Sequence, residues 1–268
     1  MSSQDTARSR AHMPTGTNVV LNTRSLNTAH KRLAELLHPG MTVLDVGCGT
    51  GAITRGIAEA VAPDGRVIGM DTNVELIAEA DRLHADVPGL SFQIGDAYDL
   101  PFREEFDIVT AARVLQWLAD PVMALRNMVT ATRSGGRIVV LDYNHEKIVW
   151  TPAPPVSMQG FYAAFLKWRS EAGMDNAIAD HLAAMYAHLG LTDIQQTDQH
   201  ERTERGDADF ATRIGIWAQG AQVRGPQMVA DGFITEEQRA TAEIEYREWA
   251  ETEAQSQTLY LLAVEGVR

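Results

Sequence analysis

Three carboxylates and three glycines, regularly placed, are where chemistry is concentrated in this chain. Asp45 follows the short apolar run Val43-Leu44, and Gly47, Gly49 and Gly51 come next at alternate positions, with Cys48 and Thr50 between them. Glycine lets a backbone turn sharply and approach a ligand with no Cβ in the way. The segment 52–61 behind the loop has a helical pattern, so its first amides point at whatever lies against the loop. Asp71 lies about 20 residues beyond the glycines, where a carboxylate can accept hydrogen bonds from both hydroxyls of a ribose. A charge-assisted bond of that kind is worth roughly 1.5–3 kcal/mol. Asp96, one strand further on, can accept from an exocyclic adenine amine, and the backbone N–H of Ala97 can reach a ring nitrogen. Taken singly, each aspartate could simply cap the next helix. Taken together and in phase with the loop, they point to a nucleotide-like cofactor. Residues Gly47 to Ala52 also satisfy the relaxed G-x-G-x-x-A dinucleotide fingerprint, so the loop alone leaves a nicotinamide cofactor open.

Residues of this kind need strand ends to hold them. Apolar runs predict strands over 42–46, 66–70, 90–94, 106–111 and 137–142, separated by helical patterns over 52–61, 73–84 and 121–132. That alternation predicts βαβ units, hence a parallel sheet with helices on both faces. A helix over 26–37 precedes the first strand and stops at His38-Pro39-Gly40. Beyond Asp142 the pattern changes: Thr151-Pro-Ala-Pro-Pro155 is a rigid connector, and helices are expected over 157–172, 176–189 and 207–229. Thr235-Glu-Glu-Gln238 has capping-box spacing and opens a charged helix to about 253, and 258–264 reads as a buried last strand. The fold class is α/β: a doubly wound, mostly parallel, seven-stranded Rossmann-like sheet with an added helical lid. Its expected parts are a loose leader (1–25), a cofactor-binding core (26–144), helical substrate-capping insertions (145–256, with strand six near 191–199) and the last strand (257–268).

Composition narrows the class. The 268 residues are 45% hydrophobic and 22% charged, ordinary for a globular protein. A net charge of −13 argues against a nucleic-acid or anionic-membrane partner. The single cysteine rules out an intrachain disulfide and a Cys-rich metal site. No apolar run approaches the ~20 residues that span a bilayer, and the polar start lacks a signal-peptide core, so a cytoplasmic enzyme is expected. His181 and His188 lie seven apart, off zinc spacing, and Asp142-Tyr143-Asn144 lacks convergent oxygen partners, so no metal is expected.

The residues beyond the glycine loop break the cofactor tie. Val43-Leu-Asp-Val-Gly-Cys-Gly-Thr-Gly51 resembles, without a gap, the first motif of the class I S-adenosylmethionine-dependent methyltransferases, especially the ubiquinone/menaquinone-biosynthesis group. Val67-Ile-Gly-Met-Asp71 looks like that family's ribose-binding motif, and Gly95-Asp-Ala-Tyr-Asp-Leu-Pro-Phe102 its adenine-binding motif. The segments 106–118 and 133–140 are similar to the family's next strand, whose end faces the methionine part of the cofactor, and to the turn and strand after it. The likeness covers residues 41–143. It implies S-adenosyl-L-methionine as cofactor, with contacts from Asp45, Gly47, Cys48, Gly49, Gly51, Asp71, Thr72, Asp96, Ala97 and, through its backbone carbonyl, Arg113. It further implies contacts from the helix before the first strand, for which Arg24 and Asn27 are the candidates facing the methionine carboxylate.

Methyl transfer is an in-line displacement that the sulfonium already activates, so the protein must chiefly position the acceptor and exclude water. Narrower chemistries drop out. Cys48 sits inside the loop and is not placed as a cytosine-attacking nucleophile, and Ala111-Ala112-Arg113-Val114 stands where amino-methylating nucleic-acid enzymes carry Asn/Asp-Pro-Pro-aromatic. Where a base is needed, His145 and Tyr143 are the candidates. Gln116, Trp117 and Trp150, with the aromatic-rich segment after Asp142, suggest a small, partly apolar or aromatic acceptor. A homodimer through the added helices stays open. The competing readings are a nicotinamide-dependent oxidoreductase, which leaves Asp96 unexplained, and a non-catalytic S-adenosylmethionine binder.

Overall fold

The computed structural model describes residues 2–12, 22 and 24–268. Its frame is a sheet of eight strands among the described residues. β1 (Thr42–Val46), β2 (Arg66–Asp71), β3 (Leu90–Ile94), β4 (Phe106–Ala112) and β5 (Thr132–Thr151) are parallel. β6 (Thr192–Asp198), β7 (Glu201–Glu204) and β8 (Ser256–Val267) complete it, β8 running antiparallel to β5, β6 and β7. The order is β3-β2-β1-β4-β5-β8-β6, with β7 also paired to β8. Strand order therefore reverses between β1 and β4, and in such sheets the ligand crevice opens at the carboxyl ends on either side of that point.

Alternation along β1 shows why the sheet is covered on both faces. Val43 packs with Leu33, Leu37, Ile57 and Val61, from α3 (Lys31–Leu36), its end, and α4 (Ala52–Val61). Leu44 and Val46 point the other way, into a core shared with Leu125, Met128, Leu182 and Tyr186 of α6 (Pro121–Ala131) and α8 (Ile178–His188). The lid has its own core, in which Phe161 and Trp168 of α7 (Val156–Glu171) meet Trp217 of α10 (Ile216–Val223) and Tyr246 of α12 (Glu236–Thr252). No helix among the described residues is long and apolar enough to cross a membrane.

The doubly wound α/β sheet is as expected, with four local differences. The eighth strand, β7, escaped notice because Glu201-Arg-Thr-Glu204 has no apolar residue; only its pairing with β8 makes it a strand. β5 does not end at Asp142 but continues to Thr151 as an antiparallel ribbon with β8, across a register shift between Asn144 and Val149. The helix expected over 26–37 breaks into α2 (Leu26–Ala29) and α3 at His30, whose buried ring faces Thr110. The stretch 207–229 is three short helices: α9 (Phe210–Ile214), α10 and α11 (Gly225–Ala230).

The expected loose leader holds a helix, α1 (Ser3–Ala11), while residues 1, 13–21 and 23 of it lie outside the described residues. Ser2 and Asp5 form a capping box that starts α1. Arg224 secures its other end, donating to the backbone carbonyls of Arg10 (2.7 Å) and His12 (2.5 Å). Arg10 in turn pairs with Asp231 and lies over the Trp168 ring. The leader was missed because its order comes from docking on the lid: α1 itself has almost no apolar face.

Candidate active site

A cavity of about 740 Å³ opens over the ends of β1, β2 and β4 and beneath α1 and the lid. Its floor is the glycine loop. Gly47 and Gly49 adopt φ of +75° and +56°, and a Cβ on Gly47 would fall 2.4 Å from Val114, so a side chain there is excluded by both strain and space. Asp71, at the tip of β2, accepts from the backbone N–H of Gly49 (3.0 Å) and of Asn73 (2.9 Å). Burial raises the Asp71 carboxyl above the usual range, against the pull of those N–H groups. Asp96 accepts from the Tyr98 N–H at 3.0 Å and pairs with Arg8 of α1, so the helix reaches across the mouth of the cavity.

At the far end of the cavity Arg113 bends out of β4 with φ +62°, a conformation that costs a non-glycine residue about 1 kcal/mol or more. Its Nε donates to the Tyr143 hydroxyl (3.1 Å), and its guanidinium pairs with Glu201 of β7. The Tyr143 hydroxyl itself donates to Glu201 (3.1 Å). Burial disfavours the Arg113 charge, but Glu201 and Tyr143 outweigh it and raise its pKa. Arg24 lines the same end, with burial and then the Arg113 charge lowering its pKa. Among the described residues, two guanidiniums thus stand against one carboxylate, and Arg113 Nη1 is buried with no partner.

The third region is an aromatic box. His145, carried past the sheet edge by the β5 extension, stacks on Tyr143 with ring centroids 5.2 Å apart. It meets Phe165 and Trp217 edge-on at 5.9 and 6.4 Å. Gln116 ties box to core through all of its polar groups. Its N–H donates to Asp142 (3.1 Å), its carbonyl accepts from Arg169 (2.7 Å), and its side chain bridges the Arg113 carbonyl (3.1 Å) and His145 (2.6 Å). Burial pushes the Asp142 carboxyl up to about 7, and burial together with the Arg169 charge holds His145 well below its ordinary value.

The cavity wall brings together twelve of the residues singled out from the sequence: Arg24, Gly47, Gly49, Asp71, Thr72, Asp96, Ala97, Arg113, Gln116, Trp117, Tyr143 and His145. Five others stand back from it. Asp45 lies beneath the loop, bonded to the Thr54 hydroxyl at 2.7 Å, and burial raises its carboxyl to about 6. Cys48 and Gly51 pack behind the loop, toward Gly69 and Phe92 respectively. Asn27 is exposed on α2, beside the buried Leu26 that turns the other face of that helix to the core. Trp150 sits in the lid core, donating to Gln257 (2.9 Å), since the β5 ribbon carries it beyond the cavity. The Tyr143 hydroxyl is spent between Arg113 and Glu201, and burial pushes its pKa up to about 12, which leaves its ring as the part that serves the cavity.

Sequence reasoning missed Gln4, Ala7, Arg8 and Ala11 of α1 as wall residues, and it missed Glu201, which is off the wall but pairs with Arg113. The Ser2-x-x-Asp5 capping box could have revealed α1. Glu201 had no signal of its own.

A parallel sheet reversing at β1/β4, a glycine floor, carboxylates at successive strand tips and a cationic far end define a nucleoside-cofactor site of the class I S-adenosylmethionine-dependent methyltransferase kind. The methyltransferase-domain family matches residues 37–201, and the chain belongs to it. Its cofactor is S-adenosyl-L-methionine, and members of the ubiquinone/menaquinone-biosynthesis group are among the proteins it is similar to. It is 28% identical over 174 residues to the demethylmenaquinone methyltransferase of Staphylococcus carnosus, a match covering 58% of this chain and 70% of that one. It is 40% identical over 103 residues to an uncharacterized 37.1 kDa protein in transposon TN4556 of Streptomyces fradiae, spanning 38% of this chain but only 30% of that protein. In fold it is similar to the YcgJ protein from Bacillus subtilis, with a TM-score of 0.58 at 19% identity over 89% of this chain and 97% of that one.

The residues present fit that cofactor. The side-chain-free floor admits a close backbone approach, and Asp71 and Asp96 put carboxylate acceptors on the wall, of the kind a ribose and an adenine amine would require. The unpartnered Arg113 Nη1 beside Arg24 suits a carboxylate tail. Among the described residues no cluster of His, Cys, Asp or Glu is placed to hold a metal ion.

Proposed function

We propose that this chain transfers the methyl group of S-adenosylmethionine to a small aromatic or partly apolar acceptor, leaving S-adenosylhomocysteine. The observation that carries this reading is that one cavity joins two chemically different halves: polar strand tips and a box of Tyr143, Phe161, Phe165 and Trp217. The sulfonium supplies an activated methyl, so the work left to the chain is to hold, align and dry its surroundings. Asp71 and Asp96 hold the nucleoside, and Arg24 and Arg113 hold the tail. The box stacks on a flat acceptor and, with α1 and the lid above it, excludes water. Such alignment can contribute several kcal/mol, up to ~7–11 in ideal cases. The −13 charge further favours a small acceptor over a nucleic acid.

Calorimetric titration with S-adenosylhomocysteine and with NAD, followed by methyl-labelled cofactor and a panel of aromatic small molecules, tests this. Binding of S-adenosylhomocysteine and label transfer to a panel member are expected. Binding of NAD in its place overturns the cofactor, and label appearing only on macromolecules overturns the acceptor class.

A further inference from the structure

Arg8 of α1 stands on a carboxylate that the nucleoside would use. Both oxygens of Asp96 are engaged: Oδ1 accepts from the Tyr98 N–H at 3.0 Å, and Oδ2 accepts from Nη2 of Arg8. Arg8, Asp96, Ala97 and Tyr98 all line the cavity, so this ion pair is part of the site's wall. It is also open to solvent, with 65% of the Arg8 side chain and 29% of the Asp96 side chain exposed. Exposed pairs of this kind hold their partners weakly and yield to salt. The rest of α1 is fastened elsewhere. Arg10 donates to the Asp231 carboxylate (3.2 Å) and to the Trp168 carbonyl, Gln227 donates to the Ser9 carbonyl (3.3 Å), and Ala7 packs with Ala172 and Met174. Those anchors belong to the lid, whereas Asp96 follows β3 of the sheet. Swinging Arg8 away therefore frees Asp96 without undocking the helix.

Resting on the proposed role of Asp96 as acceptor for the adenine amine, we infer that Arg8 is an internal competitor for that carboxylate, an autoinhibitory contact that the cofactor displaces as it binds. The guanidinium and the amine both donate, so neither satisfies the other, and with Oδ1 given to Tyr98 they meet at Oδ2. The guanidinium also neutralises the charge that would strengthen the bond to the amine. The sign of the effect sets this contact apart from a cover. A side chain that merely roofs the cofactor strengthens binding, and Arg8 opposes it.

The test is calorimetric titration of the full chain with S-adenosylhomocysteine and with S-inosylhomocysteine, in which a keto oxygen replaces the adenine amine. Arg8→Ala should bind S-adenosylhomocysteine about two- to fivefold more tightly than the parent, the effect of removing one exposed ion pair. Arg8→Lys keeps the charge and should bind as the parent does. The gain in Arg8→Ala should vanish as salt approaches about 1 M, where charges are screened within about 3 Å. It should be absent with S-inosylhomocysteine. Equal or weaker binding of S-adenosylhomocysteine by Arg8→Ala, a gain shared in full by Arg8→Lys, or a gain that persists with the inosine analogue overturns the competition. Those results leave Asp96 as the adenine acceptor. Adding Asp96→Ala to Arg8→Ala checks that role separately, with a loss of about tenfold or more expected. No loss in the double variant removes the role of Asp96 and the competition with it.

Discussion

Replacing Gln116 by alanine should lower the melting temperature by about 5 °C while leaving the sheet intact. The two backbone bonds of Gln116, to Asp142 and from Arg169, survive the change. The two side-chain bonds do not: His145 Nε2–H loses its acceptor, and the Arg113 carbonyl loses its donor. A buried donor left unpaired costs roughly 1–3 kcal/mol, and the lost apolar stem adds about 1 kcal/mol more. The sum is about 3 kcal/mol. For 268 residues, an unfolding entropy of about 2.1 cal/mol/K per residue gives roughly 560 cal/mol/K, and the quotient is the stated shift. Gln116→Met keeps the volume and should recover about 1 kcal/mol of the loss. Scanning calorimetry measures the shift, and the nitrogen-15 spectrum of His145 should show both tautomers in the alanine variant. A variant melting within about 1 °C of the parent with a single tautomer would falsify the role of Gln116 as the joint between lid and core.

Asp71→Ala should weaken S-adenosylhomocysteine binding about 100-fold by calorimetry, the worth of two charge-assisted bonds at roughly 1.5 kcal/mol each; an unchanged affinity would remove Asp71 from the site. Because burial raises the Asp142 carboxyl to about 7, its contribution to stability is complete below the unfolded value of 3.8 and is lost as pH rises through about 7. Asp142→Asn should therefore gain roughly 2–3 kcal/mol relative to the parent between pH 5 and 8 in urea unfolding, and parallel pH profiles for the two proteins would refute the shift. Arg224→Ala removes the donor that caps the carbonyls of Arg10 and His12, so limited proteolysis should cut within residues 2–12 several times faster. Cutting at the parent's rate would mean that α1 is held by other contacts.

The cofactor half of the site was legible in the sequence because its signals are local. A strand, a glycine loop and a helix lie within one unbroken stretch, and the apolar run of β1 is long enough to be read as a strand, whose geometry then buries Val43 on one face and Leu44 on the other. Asp71 and Asp96 stand out by the same regularity, since each follows a predicted strand. Glu201 is the opposite case. Its strand has no apolar residue, and it reaches Arg113 and Tyr143 only because β8 pairs with β5 on one side and β7 on the other. The β5 ribbon likewise sets Trp150 in the lid core and His145 on the cavity wall, although they are five positions apart in the chain. Composition and periodicity therefore determined that this chain builds a nucleoside site on a doubly wound sheet. Which aromatic rings surround the acceptor, which tautomer His145 holds, and that α1 closes the mouth were decided by contacts between residues far apart in sequence, whose partners leave no trace in each other's local pattern.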